Sequence, residues 1–428
     1  MTPEVKQRIE QIRRGEVPEG YKKTALGIVP ANWIETTLGK IYTERNEPGN
    51  DSLPLLMVSI HSGVSDGEVA EEDLPKKAKR IEDKSQYKHA MPGDLVFNMM
   101  RAWQGAIGSA RTEGMVSPAY IVAKPNDMVD PIFMDYYMKM PHMISMIHRQ
   151  SYGVTDFRLR LYWDSFSPIP CVLPPIEEQK RIAEILSAQD TLINLQRKEV
   201  SAYQQLKRAY LSKLLPKGKN KEPELRFKGF TAAWEQRKLS EITTLITKGT
   251  TPLDKSGEGE INFIKVENLD SDSGEIISHS KITAAEHDGY LKRSQLKEND
   301  ILFSIAGTLG RVGIVKSGIL PANTNQALAI IRLKEGNLRY ISTVLRGRTV
   351  EDYMRRNPTV GAQPNLSLEQ VGNLEIPYPM LSEQIALGDF FSGIDTLITL
   401  HQREVEFHQS KEKAYTQLLL TGKVRVTL

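Results

Sequence analysis

Residues 174–215, PPIEEQKRIAEILSAQDTLINLQRKEVSAYQQLKRAYLSKLL, occur again 205 residues later as residues 379–420, PMLSEQIALGDFFSGIDTLITLHQREVEFHQSKEKAYTQLLL, and the match needs no gap. At this offset 16 of 42 positions are identical, which a chance alignment of unrelated segments would not give. Each copy begins at proline and has an acidic residue in its first turn, Glu178 or Glu383, as helix N-termini favour. A proline after the first copy and a glycine after the second end the pattern. The sequence therefore predicts a duplicated chain in which each half ends in one long helix.

Residues in both helices recur at alternating spacings of three and four, which is the heptad pattern of a helix-helix seam. The predicted apolar and aromatic seam residues are Leu186, Ile193, Val200, Tyr203, Tyr210 and Leu214 in the first copy and Phe391, Ile394, Ile398, Val405, Tyr415 and Leu419 in the second. The polar seam residues are Gln189, Gln196, Lys207, His401, His408 and Glu412. A seam of this length has to bury its apolar edge, and the other copy is the nearest equivalent surface. We therefore predict a coiled coil of the two helices with pseudo-twofold symmetry, in which the polar positions weaken the seam but fix its register.

Composition limits the class of protein. The chain has 428 residues, 40% of them hydrophobic and 25% charged, as in an ordinary soluble globular protein. Its single cysteine, Cys171, excludes an internal disulfide and a cysteine-cluster metal site, and its apolar neighbours predict a buried thiol. The sequence contains no signal peptide and no long apolar run, so we expect a cytoplasmic protein. The net charge of +3 fits a nucleic-acid partner only where positive residues cluster.

The order of motifs predicts four segments along the chain. These are a first globular body at residues 1–172 with an N-terminal helix at 3–14, a first helix at 173–216, a second body at 217–378, and a second helix with a tail at 379–428. Both bodies begin with the pattern W-x4-L, at Trp33 and at Trp234. We expect the N-terminal helix to pack beside the C-terminal end, since this would bury its apolar face.

Short apolar runs broken by Gly, Pro, Asn and Asp predict strands in both bodies. The predicted strands are Leu55–Ile60, Leu95–Asn98, Tyr120–Ala123, Ile261–Val266, Ile301–Ile305 and Ala327–Leu333, and the predicted helices are Pro131–His148 and Leu338–Arg355. The fold class is therefore α/β (α+β), with two mixed bodies in tandem and a long helix after each. Besides the W-x4-L starts, the bodies share Asp94-Leu-Val-Phe97 and Asp300-Ile-Leu-Phe303, followed by Gly105-x-x-Gly108 and Gly310-x-x-Gly313. Outside these landmarks their sequences diverge.

Catalytic motifs are missing from the sequence. It contains no G-x-x-x-x-G-K-[ST] loop, no H-E-x-x-H pair and no G-x-S-x-G elbow. The segment Ser117-Pro118-Ala119-Tyr120 approaches the base-holding motif of amino-methyltransferases, but no glycine-rich cofactor loop accompanies it. A turn that enters a strand is the simpler interpretation. We predict no catalytic residue, no metal site and no cofactor in this chain.

Clusters of basic, amide and aromatic residues remain, and these types bind phosphates and base edges of DNA. The candidates in the first body are Lys76, Lys77, Lys79, Arg80, Arg101, Trp103, Gln104, Arg158 and Arg160. The candidates in the second body are Lys248, Thr250, Lys265, Asn268, Arg311, Asn325, Gln326, Arg355, Arg356, Gln363 and Asn365. Each cluster alone is more typical of a solvated surface. Their recurrence in two unlike bodies favours DNA binding for the set.

This arrangement resembles the specificity subunit of type I restriction-modification enzymes. The resemblance spans the chain and is most specific in residues 174–215 and 379–420. Further support comes from the W-x4-L starts, from Arg101-Ala-Trp103-Gln104-Gly105 with Ser117-Pro118-Ala119-Tyr120, and from the terminal Leu420-Thr-Gly-Lys-Val-Arg425-Val426. It implies two target recognition domains, each binding half of an interrupted double-stranded DNA site, and paired helices that set the gap. It also implies two methyltransferase subunits as partners, with S-adenosylmethionine, and two ATP- and Mg-dependent restriction subunits that join in some complexes.

Two other classes of protein stay open at this point. One is a stand-alone DNA methyltransferase or nuclease with unrecognised catalytic residues. The other is a coiled-coil adaptor that binds only proteins.

Overall fold

The chain forms two compact units. The computed structural model describes residues 2–60, 63–65, 84–153, 159–216, 222–254, 256–271, 273–347, 350, 353 and 365–426. Unit 1 consists of Met1–Ile193 and Phe407–Leu428, and unit 2 consists of Asn194–Glu406. Each unit therefore takes a part of both long helices. The four linear segments stay a prediction about domain limits. In the described residues no helix is both long and apolar enough to span a membrane.

Unit 1 contains twelve of the described strands around one antiparallel sheet. The strands are β1 (Tyr21–Thr24), β2 (Gly27–Pro30), β3 (Ile34–Thr37), β4 (Tyr42–Glu44), β5 (Val58–Ser59), β6 (Gly63–Val64), β7 (Lys88–Ala90), β8 (Leu95–Asn98), β9 (Ile107–Ser109), β10 (Gly114–Val116), β11 (Tyr120–Pro125) and β12 (Pro170–Leu173). The helices are α1 (Pro3–Arg13), α2 (Leu38–Ile41), α3 (Pro131–Tyr137), α4 (Pro141–Gln150), α5 (Trp163–Phe166) and the first part of α6 (Ile176–Leu214). The main sheet has the order β4-β11-β8-β9, and β12 pairs separately with β3.

Unit 2 repeats the four-stranded main sheet and also has a three-stranded sheet. Its strands are β13 (Glu235–Lys238), β14 (Thr243–Lys248), β15 (Ile261–Ile264), β16 (Ser280–Ile282), β17 (Ile301–Ser304), β18 (Val312–Ile314), β19 (Ala322–Thr324), β20 (Leu328–Leu333) and β21 (Glu375–Tyr378). Its helices are the remainder of α6, then α7 (Ala284–Asp288), α8 (Leu338–Arg346), α9 (Leu368–Gly372) and most of α10 (Leu381–Leu419). The main sheet has the order β14-β20-β17-β18, β13 pairs with β21, and β16-β15-β19 form a mixed sheet.

The matched central strands show that both main sheets are buried on two faces. In β8, Leu95 and Phe97 belong to one apolar cluster and Val96 belongs to another. Strand β17 repeats this division, with Leu302 in a different cluster from its two neighbours. Alternate residues of a strand point to opposite faces, so a continuous apolar run is what a doubly covered strand requires. The repeated Asp-apolar-apolar-Phe signature is therefore the central strand of each body.

The predicted fold class is confirmed, with local corrections. The predicted helix Pro131–His148 is two helices, because Pro141 cannot continue the first and instead occupies the first turn of the second. The helix predicted from Leu338 is described to Arg346, where Gly347 follows. Much of the run Leu55–Ile60 lies outside a strand, and only β5 forms there.

The repeated Glu-Gln pair at the helix starts has a structural role. Gln179 Nε2 donates to the Pro174 carbonyl oxygen at 2.9 Å, and its Oε1 accepts from the backbone amide of Asp130 at 2.9 Å. Asp130 is the N-cap of α3. The glutamine therefore ties the long helix α6 to the helix that packs beside it.

The second copy repeats both of these bonds. Gln384 donates to the Pro379 carbonyl oxygen at 2.8 Å and accepts from the Asn337 amide at 2.9 Å. Asn337 is the N-cap of α8, so α10 is tied to α8 as α6 is tied to α3. The identity of the two glutamines in the repeat is explained by this shared bond pattern.

The expected contact between the two chain ends is present in unit 1. Arg8 Nε of α1 donates to the Lys423 carbonyl oxygen at 3.2 Å, and the Tyr21 hydroxyl donates to the Gly422 carbonyl oxygen at 2.8 Å. Ile9 on the same helix is buried. The C-terminal tail is therefore an integral part of unit 1.

Candidate nucleic-acid interface

The loop after β8 presents the first candidate side chains of unit 1. Arg101 and Gln104 are exposed in this loop, whereas Ala102 between them is fully buried. The half-buried Trp103 donates its indole N–H to the Met100 carbonyl oxygen at 3.0 Å. The buried Ala102 and the hydrogen-bonded Trp103 therefore fix the turn that carries the exposed side chains of Arg101 and Gln104.

A neighbouring segment brings Arg160 beside this loop. The Leu161 amide donates to the Met99 carbonyl oxygen at 2.9 Å, and Tyr152 and Arg160 exchange backbone hydrogen bonds of 3.1 and 3.0 Å. The Arg160 side chain is exposed, as is that of Arg101. Two predicted cationic residues therefore lie on adjacent backbone segments of unit 1 and face solvent.

Three residues of this surface were missed by the sequence reasoning. Tyr152 is 57% exposed and packs against Tyr162 with ring centroids 5.1 Å apart. Met100 is 45% exposed, and Arg149 is exposed at the end of α4. A basic residue and an aromatic one at the end of an apolar helix are the signal that would have found Arg149 and Tyr152.

Several predicted contact residues lie outside the described residues and stay predictions. They are Lys76, Lys77, Lys79, Arg80 and Arg158 in unit 1 and Arg355, Arg356 and Gln363 in unit 2.

In unit 2, backbone hydrogen bonds join three loops that contain predicted contact residues. The Thr250 amide donates to the Thr324 carbonyl oxygen at 2.9 Å, and the Asn325 amide donates to the Ile264 carbonyl oxygen at 3.3 Å. Gly249 lies so close to Thr324 that a Cβ atom would overlap the carbonyl oxygen, so only glycine fits.

These joined loops bring together Lys248, Thr250, Lys265, Asn325 and Gln326. Lys248 and Gln326 are exposed, and the other three are half-buried. Sequence reasoning missed the exposed Arg293, whose guanidinium donates to the Thr250 hydroxyl oxygen at 3.3 Å. The cluster combines side chains for phosphates with amides for base edges.

Two other predicted residues of unit 2 are bonded to the protein itself. Asn268 is 8% exposed, accepts from the Lys265 amide at 2.7 Å and donates to the Ser278 hydroxyl oxygen at 2.8 Å. Arg311 donates from Nη1 to the Leu269 carbonyl oxygen at 3.1 Å. Both residues therefore shape the loop between β15 and β16.

The last predicted residue of unit 2 lies beside the end of β17. Asn365 is exposed, and the amide of its neighbour Leu366 donates to the Ile305 carbonyl oxygen at 2.9 Å. The backbone next to Asn365 is therefore fixed to the loop that follows the central strand.

A cavity of about 360 Å³ lies among the loops of unit 2. Its lining consists of Val266, Glu267, Ala306, Gly307, Thr308, Arg311, Asn325 and Ala327. The loop after β17 supplies the alanine, glycine and threonine of this lining. The loop after the matched strand β8 of unit 1 has an arginine, a tryptophan and a glutamine instead.

The seam residues of unit 2 pack between antiparallel helices. Tyr203 stacks on His401 with centroids 5.3 Å apart, and Tyr210 meets Phe390 edge-on at 5.1 Å. Residue numbers therefore rise along one helix as they fall along the other. The buried seam residues are Leu214, Phe391, Ile394 and Ile398, and the half-buried ones are Val200, Tyr203, Tyr210 and Val405.

In unit 1 the same two helices also meet in antiparallel directions. Leu186 and Leu419 belong to one apolar cluster, and Gln189 lies 3.0 Å from His408 between side-chain nitrogens. Ile193 is buried, whereas Tyr415 is 38% exposed.

The titratable groups of the described residues offer no metal site and no activated cysteine. No group of three or more His, Cys, Asp or Glu residues among them could hold a metal ion. Cys171 is fully buried, as expected, and burial raises the pKa of its thiol to about 12, which disfavours the nucleophilic thiolate.

Comparisons with known proteins agree on one family. Residues 232–406 match the family model described as type I restriction modification DNA specificity domain. The chain is 25% identical over 326 residues to the type I restriction enzyme MjaVIII specificity subunit of Methanocaldococcus jannaschii, covering 73% of this chain and 75% of the relative. It is 23% identical over 438 residues to the putative type I restriction enzyme MjaX specificity subunit of that organism, covering 95% and 97%.

A solved structure supports the fold. The type I restriction-modification system S subunit from M. genitalium superposes with a TM-score of 0.53 at 14% identity, covering 93% of this chain and 97% of that chain. At this identity the likeness concerns the fold alone.

Proposed function

The chain belongs to the family of type I restriction-modification specificity subunits, and on that premise we propose that each of its two mixed α/β bodies binds one half of an interrupted double-stranded DNA target. The observation that carries this proposal is the repeat of one sheet order with different loops. The order β4-β11-β8-β9 of unit 1 corresponds to β14-β20-β17-β18 of unit 2. The loops after β8 and β17 differ in nearly every side chain. A common scaffold with unlike contact loops is what recognition of two different half-sites requires.

The exposed residues supply the chemistry for such recognition. In unit 1, Arg101 and Arg160 can bind phosphates or guanine edges, and Gln104 can pair with adenine. In unit 2, Lys248 and Lys265 supply the cationic contacts. Neutralisation of phosphates makes DNA binding salt-dependent, whereas contacts with base edges determine sequence.

The helices are proposed to set the gap between the half-sites and to dock two methyltransferase subunits. Leu195 and Leu400 occupy matching positions one repeat of 205 residues apart, and they are 54% and 51% exposed. Equivalent exposed apolar residues on two helices suit two copies of one partner. In this proposal the chain is non-catalytic. S-adenosylmethionine binds the methyltransferase subunits, and ATP and Mg²⁺ serve two restriction subunits where these join.

Co-expression with the methyltransferase encoded beside this chain tests the proposal. The expected result is a stable complex that methylates adenine N6 in an interrupted two-part motif. Absence of both the complex and the methylation would contradict it.

The chain purified alone provides the test against a stand-alone enzyme. Incubated with DNA, Mg²⁺ and S-adenosylmethionine, it is expected to leave DNA unmodified and uncut. Methyl transfer or cleavage by the chain alone would contradict the non-catalytic assignment.

A further inference from the structure

The cavity of unit 2 is built by loops that hydrogen bonds hold in place. Ser304, which is fully buried, donates its hydroxyl to the Thr308 carbonyl oxygen at 2.6 Å and accepts from the Arg311 amide at 2.8 Å. The Ile305 amide donates to the Ala327 carbonyl oxygen at 2.9 Å. The cavity walls are therefore fixed before any ligand arrives, which lowers the ordering cost of binding.

Small residues leave the cavity open to a planar group. Ala306, Gly307 and Ala327 line it, and Gly307 has φ +74°, a conformation that residues with side chains rarely adopt. A volume of about 360 Å³ is ample for the edge of a nucleobase. The absence of a side chain at Gly307 permits close approach to its backbone.

Glu267, Thr308, Arg311 and Asn325 are the polar residues that line this cavity, and the guanidinium of Arg311 already donates to the Val266 and Leu269 carbonyl oxygens. The Asn325 Oδ1 accepts from the Ala327 amide at 3.2 Å, and among the described residues its Nδ2 group has no acceptor. Glu267 is exposed, and among the described residues its carboxylate has no hydrogen-bond or ion-pair partner. An asparagine usually binds adenine through both its oxygen and its nitrogen. Here the oxygen already accepts from the Ala327 amide, and the carboxylate of Glu267, which lines the same cavity, offers further acceptor oxygens.

A carboxylate at this position is informative because the joined loops of unit 2 also contain cations. Lys265 lies two residues from Glu267, and Lys248 and Arg293 belong to the joined loops. Those side chains suit phosphates, which Glu267 would repel. An ionised carboxylate can only accept hydrogen bonds, so it suits the amino groups of bases and disfavours their carbonyl oxygens.

We propose that this cavity binds the major-groove edge of an adenine in the half-site of unit 2, with Glu267 accepting from N6 and Asn325 Nδ2 donating to N7. Adenine is the base that presents an amino donor beside a ring acceptor in the major groove, whereas guanine presents two acceptors and thymine presents a carbonyl oxygen and a methyl group. Cytosine has the amino donor but lacks the neighbouring N7. This inference rests on the proposed function and assigns Glu267 as a specificity-determining residue.

The test is Glu267→Gln in the full chain, co-expressed with its methyltransferase, followed by mapping of the methylated motif. This substitution replaces a carboxylate that can only accept with an amide that can also donate to guanine O6. The expected result is a fall of about ten-fold in the adenine-to-guanine preference at one position of one half-site. A second variant, Glu267→Ala, is expected to lose adenine preference at that position without gaining guanine.

The matched control is Glu298→Gln, which removes the same charge from an exposed position of unit 2 that does not line the cavity. It is expected to leave the motif unchanged. An unaltered base preference in both Glu267 variants, with a two-part motif in the wild type, would overturn this inference alone. A wild type without a two-part motif would overturn the proposed function and this inference together.

Discussion

The first turns of α6 and α10 hold a buried glutamate in the same place, but they take its arginine partner from different parts of the chain. Glu178 accepts from Arg425 of the C-terminal tail at 2.7 and 2.9 Å. Glu383 accepts from Arg226, which lies in the connector between α6 and β13, at 3.0 and 2.7 Å. The C-terminal tail therefore supplies the arginine partner in unit 1, and the connector supplies it in unit 2. Segments with unlike sequences thus supply equivalent arginines to the two helix starts.

The surroundings of the two glutamates differ in one further contact. Trp33 Nε1 donates to Glu178 at 3.2 Å. The matched Trp234 is buried, and among the described residues its indole N–H has no acceptor. Unit 1 thus has two kinds of donor to its buried carboxylate, whereas the described part of unit 2 relies on Arg226. The shared scaffold is held by similar but unequal contacts, and substitutions at matched positions can measure the difference.

The largest expected loss of stability comes from substitutions in the helix-helix seam. Ile193 and Ile398 occupy matching positions, but Ile398 is fully buried within the main apolar cluster of unit 2, whereas Ile193 is 5% exposed. Ile398→Asp should destabilise its unit by more than about 4 kcal/mol, because it buries an unpaired charge. Ile193→Asp should destabilise unit 1 by a smaller amount. Hydrogen exchange of the helix amides measures both changes.

Thr396→Asp is the control for this pair, since it adds a carboxylate to an exposed position of the same helix as Ile398. Equal and small losses of stability in Ile398→Asp and Thr396→Asp would contradict the burial of Ile398 in the helix-helix seam.

The second effect distinguishes the two arginines. Arg226→Ala should destabilise the start of α10 by about 3 kcal/mol, because it leaves Glu383 buried without its partner. Arg425→Ala should cost about 1 kcal/mol, since the Trp33 bond remains and Arg425 is the more exposed arginine, at 33% against 15%. Protection of the first-turn amides of α6 and α10 is the measurement. A larger loss for Arg425→Ala would show that Trp33 contributes little.

The repeat, the long helices and the central strands could be predicted from the sequence because apolar periodicity determines them. The predicted strand Leu95–Asn98 agrees with β8 at both ends. The roles of Asn268 and Arg311 could not be predicted, because their bonds join segments that only the folded chain brings together. Glu267 is absent from the predicted contact residues because only the fold places it in one cavity with Asn325. Pairing of Arg425 with a glutamate 247 residues away has no local signal.

The smallest effect concerns a charge difference in the seam. In unit 2, Lys207 and Arg346 both pair with Asp395, at 2.5 and 2.9 Å. In unit 1 the residue that matches Lys207 is Glu412, and it lies near Asp190. A cation between the helices of unit 2 is thus replaced by a second carboxyl group in unit 1.

Burial and the charge of Asp190, in that order, raise the pKa of the Glu412 carboxyl group, while Thr416 and Lys413 lower it. Asp190 also accepts from the Tyr136 hydroxyl at 2.6 Å, which holds it in place. The net direction is upward from the ordinary value of 4.5.

The sign of the pH dependence follows from this raised pKa. The folded chain holds the Glu412 proton more tightly than the unfolded chain, so stability falls as pH rises from 4.5 through the raised pKa. Glu412→Gln should therefore stabilise the seam of unit 1 at pH 7 by only about 0.3 kcal/mol, because solvent screens this partly exposed carboxylate. The gain should vanish well below pH 4.5, where the carboxyl group is protonated in both states.

Hydrogen exchange at several pH values measures this gain, with the exposed Glu406→Gln as control. A gain that is the same at every pH would contradict the charge argument.

Independent recognition by the two units is the central claim, and methylation mapping of two single variants tests it most directly. Arg101→Ala removes a candidate contact of unit 1, and Asn325→Ala removes one of unit 2. Each should weaken selection at its own half-site by about 5- to 150-fold and leave the other half-site and the gap unchanged. Changes in both half-sites with either variant would contradict the account.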